Sequence, residues 1–373
     1  MRLSSEYFLN CFCVFMAYLH ELKIKGKALK FPVYFPDGTR AVVRAIDSQD
    51  IKNAGIEGIV VITYHLMTQP GISVIKQAGG IKKFMNWDGI VASDSGGFQI
   101  FSLIHRTKGL GKITDEGVRF IRGSKEKTKM FTPEKSIQVQ FTLDADLMIC
   151  FDDFTPYKAK PDQIKESVDR TVLWARRCKE EFEKQIERRK LTDATRPILL
   201  GVIQGADSFS ERERCAKELQ KIGFDGYGFG GWPLDDEGEF DYKIAKFTAE
   251  LMPDNEPKFA LGVGTPESIV EGHKMGYTIF DCVLPTRDGR HKRLYNFKAD
   301  PSKSLETEYL YIHRERYMRD FNPISDYCDC YTCRNYTRAY LNHLFKIEDT
   351  LAYRLATIHN LRTYSRLIEE LRK

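Results

Sequence analysis

The 373 residues contain no apolar run of the ~20 residues that cross a bilayer. The apolar stretch Tyr7–Leu19 (YFLNCFCVFMAYL) is too short to span, and the MRLSSE before it lacks the basic charge of a signal peptide. We read Met16 as the start and residues 1–15 as an upstream extension or disordered leader, outside the fold. A disulfide framework is also missing. The nine cysteines are odd in number and only three cluster, which excludes a small secreted scaffold and predicts reduced thiols in a cytoplasmic protein. No internal repeat and no low-complexity tract occurs.

Charge of one sign is scarce overall, with a net charge of +5. Its distribution is uneven: Thr286–Lys373 holds 17 Lys+Arg against 12 Asp+Glu, so the rest of the chain is neutral. A basic C-terminal quarter suits a phosphate-bearing partner or a solvated helical face.

What is present is an alternation of short apolar runs and longer amphipathic stretches. Strands are predicted at Gly58–Ile62, Ile90–Ala92, Asp146–Phe151, Ile198–Ile203, Gly226–Phe229, Phe259–Val263 and Thr278–Val283. Several are continuously apolar, as strands buried on both faces must be. Helices are predicted over Pro161–Arg189, Ser210–Ile222 and Pro266–Met275, the last opened by Thr265-Pro266. Polar residues follow many of the strands: Asp94, Asp152, Gln204, Gly230-Gly231, Gly264 and Asp281. A (β/α)₈ TIM barrel gathers all such ends at one mouth, whereas a doubly wound sheet gathers only those at its switch point. The spacing therefore predicts a barrel over residues 16–300 and a zinc-binding, basic helical subdomain over 301–373, packed on the barrel.

Cys328-Asp-Cys330-Tyr-Thr-Cys333 places three thiolates within six residues. A fourth ligand must come from elsewhere, and His343 and His359 both lie downstream. Three cysteines and one histidine form a closed structural Zn²⁺ set with no open position for chemistry.

The loop Asp94-Ser95-Gly96-Gly97-Phe98-Gln99 offers a carboxylate, close backbone approach and a ring face for a flat base. Asp281 stands at the end of an apolar strand, where an idle charge is costly. Two carboxylates facing one pocket are what glycosidic chemistry requires, one as nucleophile and one as acid/base. Asp152 adds an acceptor suited to the N1–H and N2–H₂ donors of guanine, and Gln204 adds an amide.

With these residues in place the chain resembles the tRNA-guanine transglycosylases, in particular the bacterial branch. DSGGFQ, FDxxTPY, GxIQG, GFDGYxxGG, LGVGxPE, FDCVxPTR and CDCYTCRNYxRAYLxHL…TIHNL carry the resemblance, in order from about Gly58 to the C-terminus. The resemblance implies that Asp281 is the nucleophile and Asp94 the general acid/base. It implies base contacts from Asp152, Gln204, Gly231, Ser95, Phe98 and Leu261, and zinc held by Cys328, Cys330, Cys333 and His359. It further implies a tRNA partner, a 7-deazaguanine substrate and a homodimer. A non-catalytic RNA-binding subunit is the alternative of another class, and retention of both Asp94 and Asp281 argues against it.

Two stretches depart from the family pattern. Phe154 stands where bacterial members carry Cys and queuine-using eukaryotic members Gly, and Trp232-Pro233-Leu234 replaces Leu-Ala-Val. A Phe and a Trp there predict a slim 7-substituent such as the nitrile of preQ0. After the nucleophile, bacterial members read PTRNARNG, where this chain reads PTRDGRHKR. Arg287, Arg290, Lys292 and Arg293 predict retained phosphate contacts. Asp288, Gly289 and an Ile62 in place of the family's Asn leave a D-arm position of tRNA, or DNA, open as the target.

Overall fold

The computed structural model describes residues 19–106, 111–120, 129–155, 159–232 and 240–373. The expected leader at residues 1–15, and Pro156, Tyr157, Pro233 and Leu234, lie outside the described residues.

Eight parallel strands form one sheet: β1 (Val33–Pro36), β2 (Gly58–Ile62), β3 (Ile90–Asp94), β4 (Leu147–Ile149), β5 (Ile198–Ile203), β6 (Gly226–Phe229), β7 (Lys258–Ala260) and β8 (Ile279–Cys282). Their order is β2-β3-β4-β5-β6-β7-β8-β1. The ring is brought round to near closure just past the end of β1, where Asp37 bridges Val60 and Gly38 N–H donates to Val60 O at 2.7 Å. This is the (β/α)₈ barrel that the sequence predicts. β1 escapes the sequence reading because VYFP is only four residues long and is bracketed by Pro32 and Pro36.

The continuous apolar runs have a simple cause. Alternate residues of each strand enter two different cores. Val33, Phe35, Val60, Ile90, Ala92, Leu147, Ile149, Leu200, Val202, Phe259 and Ile279 fill the lumen. Tyr34, Ile59, Val61, Val91, Met148, Leu199, Tyr227 and Phe280 face the surrounding helices. Both sides of the strand are dry, so neither can be polar. The antiparallel hairpin Glu21–Ile24/Lys27–Lys30 plugs the N-terminal end of the lumen with Ile24 and Leu29.

The helix Pro161–Arg189 follows β4, Phe209–Ile222 follows β5, and Pro266–Lys274 follows β7. After β8 the chain makes the short helix Leu284–Arg290 and then leaves the barrel for a long insert. The insert holds the hairpin Arg293–Phe297/Thr307–Tyr311 and the helices Tyr331–Asn335 and Arg338–Lys346. It returns as Thr350–Leu371, which packs on Leu284–Arg290, Pro266–Lys274, Ser48–Asn53 and β1. Its Ile358, Leu361, Tyr364 and Leu367 join the core that surrounds the strands. This last helix therefore closes the helical ring between the seventh and first helical positions. Arg354 clamps it to Asp50 with a two-pronged ion pair at 2.7 and 2.8 Å. Among the described residues, no helix is long and apolar enough to cross a membrane.

Candidate active site at the barrel mouth

Strand alternation places the polar residues. Ile90 and Ala92 point into the lumen, so Asp94, two further on, faces the same way at the mouth. By the same count Ile279 sets Asp281, Val202 sets Gln204 and Phe259 sets Leu261, which packs on the lumen core. All four stand one layer above the lumen's apolar floor, at the end where barrel enzymes keep their chemistry.

Burial acts on the carboxylates. Asp281 is pushed up to about 7, mainly by desolvation, with Asp94 and Asp37 adding negative charge. Its Oδ1 accepts from Gly262 N–H at 2.8 Å, which opposes the shift in part. Asp94 is also raised by desolvation, against hydrogen bonds from Gly96, Gln99 and Ser95. Asp152 is pushed up to about 7 by burial and by the charges of Asp94 and Asp153. Asp94 thus adds its negative charge to both of the other carboxylates.

Asp152 is tied to its neighbours. Gln204 Nε2 donates to its Oδ2 at 2.6 Å, and Ser95 Oγ lies 3.5 Å from its Oδ1. Gly97 has to lack a side chain, because a Cβ there would stand 2.9 Å from both Asp152 O and Oδ1. Gly231 has φ +101°, a conformation that glycine tolerates and other residues resist.

Aromatic rings form one wall of the mouth. Phe98 is 40% exposed and Trp232 44% exposed, with centroids 6.1 Å apart. The Phe154 ring is buried edge-on to Phe98 at 5.0 Å and also meets Phe101 at 4.9 Å. The two exposed rings leave apolar faces open at the mouth, and Phe154 packs behind Phe98.

The four basic positions after β8 fare differently. Arg287 is exposed. Arg290 is half-buried and donates to Thr286 O at 2.8 Å, and burial and nearby Arg44 lower its guanidinium. Lys292 is half-buried in a left-handed turn at φ 69°. Arg293 is committed within the fold: its Nε and Nη2 reach Asp288 Oδ2 at 3.0 and 2.6 Å, and its guanidinium lies 4.7 Å from the Tyr309 ring. Sequence reasoning missed Asp37, Arg40, Arg44 and His65. They carry no motif of their own, but their charges act on Asp281, Arg290 and one another at the mouth.

Away from the mouth, the ligand atoms of Cys328, Cys330, Cys333 and His359 all lie within 4.8 Å of one another, a set that fits a metal ion and is compatible with zinc. His359 Nδ1 faces Cys330 Sγ at 3.8 Å and Cys333 Sγ at 3.3 Å. Its Nε2 lies 2.8 Å from Tyr295 O, an acceptor only, so Nε2 carries the proton and Nδ1 keeps its lone pair for a metal. His343 is exposed on the neighbouring helix, outside the cluster.

A barrel with a carboxylate group at its mouth, exposed aromatic rings beside it and a Cys₃His cluster able to hold a metal ion has the layout of a barrel enzyme whose chemistry sits at the strand ends. The comparisons give the particular family. The family model described as queuine tRNA-ribosyltransferase matches residues 16–373. A protein named queuine tRNA-ribosyltransferase from Caldanaerobacter subterraneus subsp. tengcongensis is 41% identical over 360 residues, covering 96% of this chain and 89% of that one. Its namesake from Thermoanaerobacter pseudethanolicus is 39% identical over 345 residues, covering 92% and 86%. One from Staphylococcus aureus strain bovine RF122 / ET3-1 is 38% identical over 342 residues, covering 92% and 84%. The chain belongs to the queuine tRNA-ribosyltransferase family, the tRNA-guanine transglycosylases.

Proposed function

We propose that this protein exchanges guanine in tRNA for a 7-deazaguanine base through a covalent aspartyl-ribose intermediate. The observation that carries the reading is the placement of Asp94 and Asp281 on the lumen face of one mouth, each raised by burial, with the charge of Asp94 acting on Asp281. Glycosidic exchange needs two carboxyls at one site, one as acid and base and one as nucleophile.

In the first step an Asp281 carboxylate oxygen attacks C1′ and the C1′–N9 bond breaks. Asp94 supplies the proton that the departing guanine takes up. Gly262 N–H holds Asp281 Oδ1 and so fixes the plane of the attacking group. In the second step Asp94 removes the N9 proton of the incoming base, N9 attacks C1′, and the ester to Asp281 breaks. Two inversions retain configuration, and no nucleotide hydrolysis is needed.

Asp152 accepts from the donors on the base's Watson–Crick edge, Gln204, Gly231 and Ser95 complete the polar contacts, and Phe98 and Leu261 enclose the ring faces. Phe154 and Trp232 leave room for a slim 7-substituent, favouring the nitrile of preQ0 over the aminomethyl of preQ1 or bulky queuine. Cys328, Cys330, Cys333 and His359 would hold Zn²⁺, whose contribution is to pin the insert against the last helix. Arg287, Arg290 and Lys292 meet tRNA phosphates, in a cytoplasmic homodimer. Arg293 joins them only if it leaves Asp288.

Denaturing electrophoresis tests the covalent step. Wild type incubated with unmodified tRNA yields a protein–RNA adduct that free base discharges. Asp281→Ala yields none. An adduct of equal yield with Asp281→Ala contradicts the assignment.

A further inference from the structure

Arg212, on the helix Phe209–Ile222, is 1% exposed. A guanidinium this deep is costly unless it is paired. Among the described residues no carboxylate lies within ion-pair distance of it. Its donors go to main chain instead. Nε donates to Ala206 O at 2.7 Å, Nη1 to Ile203 O at 3.3 Å and Nη2 to Gly230 O at 3.1 Å. The guanidinium carbon sits 4.5 Å from the centroid of the Phe229 ring. Burial pulls the group down only to about 10, so it stays a cation at neutral pH.

Those three carbonyls belong to the two turns that end β5 and β6. Ile203 and Ala206 flank Gln204-Gly205, and Gly230 precedes Gly231. The Gly230–Gly231 peptide is trans, so its C=O and N–H point in opposite directions. With Gly230 O held toward Arg212, the N–H of Gly231 is turned away from the buried cation. Among the described residues that N–H makes no main-chain hydrogen bond, and buried Gln204 Oε1, 3.5 Å from where a Gly231 Cβ would stand, has no donor. A cation on the carbonyl also polarises the peptide and strengthens its N–H as a donor.

We propose that Arg212 is a positioning residue that fixes the Gly230–Gly231 peptide so that Gly231 N–H donates to the 6-oxo group of the bound base. The inference rests on the base-exchange reading above. As the C1′–N9 electron pair passes to the departing base, negative charge spreads onto O6. A donor already oriented there stabilises it without reorganisation.

The test compares exchange of guanine and of 6-thioguanine into tRNA by wild type, Arg212→Lys and Arg212→Met, each shown to be folded by thermal melting. The thione is a weaker acceptor but keeps the N1–H and N2–H₂ donors. Wild type is expected to favour guanine. The variants are expected to lose roughly 10- to 100-fold in kcat/KM on guanine and less on 6-thioguanine, so that the ratio moves toward one. Arg212→Lys keeps the charge but not the fork, and it carries the test if Arg212→Met fails to fold. A guanine/6-thioguanine ratio unchanged from wild type overturns the role, whatever the loss of activity. A wild type that exchanges no guanine overturns the base-exchange reading, and the Arg212 role with it.

Discussion

Gln204 donates its amide Nε2 to Asp152 Oδ2 at 2.6 Å, while its own buried Oε1 meets no donor among the described residues. When ionised, Asp152 can only accept, so above pH 7 the amide must present Nε2 to it. The pair is an acceptor-rich edge of the kind that the N1–H and N2–H₂ of guanine require. Asp152→Asn puts a donor where an acceptor is needed and is expected to raise KM for guanine roughly 10- to 100-fold. With Asp152 pushed up to about 7, wild-type kcat/KM for the base is expected to fall as pH drops through 7 and the acceptor protonates. Steady-state exchange from pH 5.5 to 8.5 measures both effects. A flat profile in wild type contradicts the assignment.

Asp281 stores instability. Its folded-state carboxyl is pushed up to about 7, against an unfolded value of ~3.9, so the native state holds more protons between those limits. Stability from this group is therefore present at low pH and lost as pH rises through 7. Asp281→Asn keeps an acceptor for Gly262 N–H and removes the charge. It is expected to abolish exchange and to stabilise the fold by on the order of 1–2 kcal/mol at pH 8, a gain that vanishes near pH 4. Melting curves at the two pH values check this, and a variant less stable at pH 8 contradicts it.

The Cys₃His cluster joins the insert to the last helix through His359, and Arg362 reinforces the link by a two-pronged ion pair to Asp329 at 2.6 and 3.0 Å. Metal analysis is expected to find one zinc per chain in the wild type and none in Cys330→Ser. Stripping the metal with a chelator is expected to lower Tm by several degrees and to expose the helix Arg338–Lys346 to proteolysis. Wild type that purifies without metal and keeps its Tm in chelator contradicts a structural zinc.

Phe154 fills the space behind Phe98. Phe154→Gly opens that space, and kcat/KM for bases with longer 7-substituents is expected to rise about 10-fold relative to preQ0. Competition among preQ0, preQ1 and queuine reads the change. Efficient use of queuine by the wild type sinks the steric account.

Most of the barrel was legible because strands buried on two faces must read as apolar runs. Gly58–Ile62, Ile198–Ile203 and Gly226–Phe229 fall on the predicted residues. β1 was not, because its apolar run is only four residues long and prolines stand before and at its end. Cysteine spacing left His343 and His359 equivalent. The packing of Thr350–Leu371 on the short helix Tyr331–Asn335 brings His359 to the sulfurs. Arg212 hides in SERERCAKEL, where arginine and glutamate alternate as on a solvated face. Arg293 reads as a phosphate contact until Asp288, five residues earlier, is seen buried beside it. These are pairings between turns, and no local pattern encodes them.

The exchange reaction itself is the most direct measurement. Labelled guanine is incubated with the protein and unmodified tRNA, and separately with duplex DNA, with Asp281→Ala as control. Label entering tRNA with the wild type alone is the predicted result. Label entering only DNA, or entering neither with folded protein, would contradict the account.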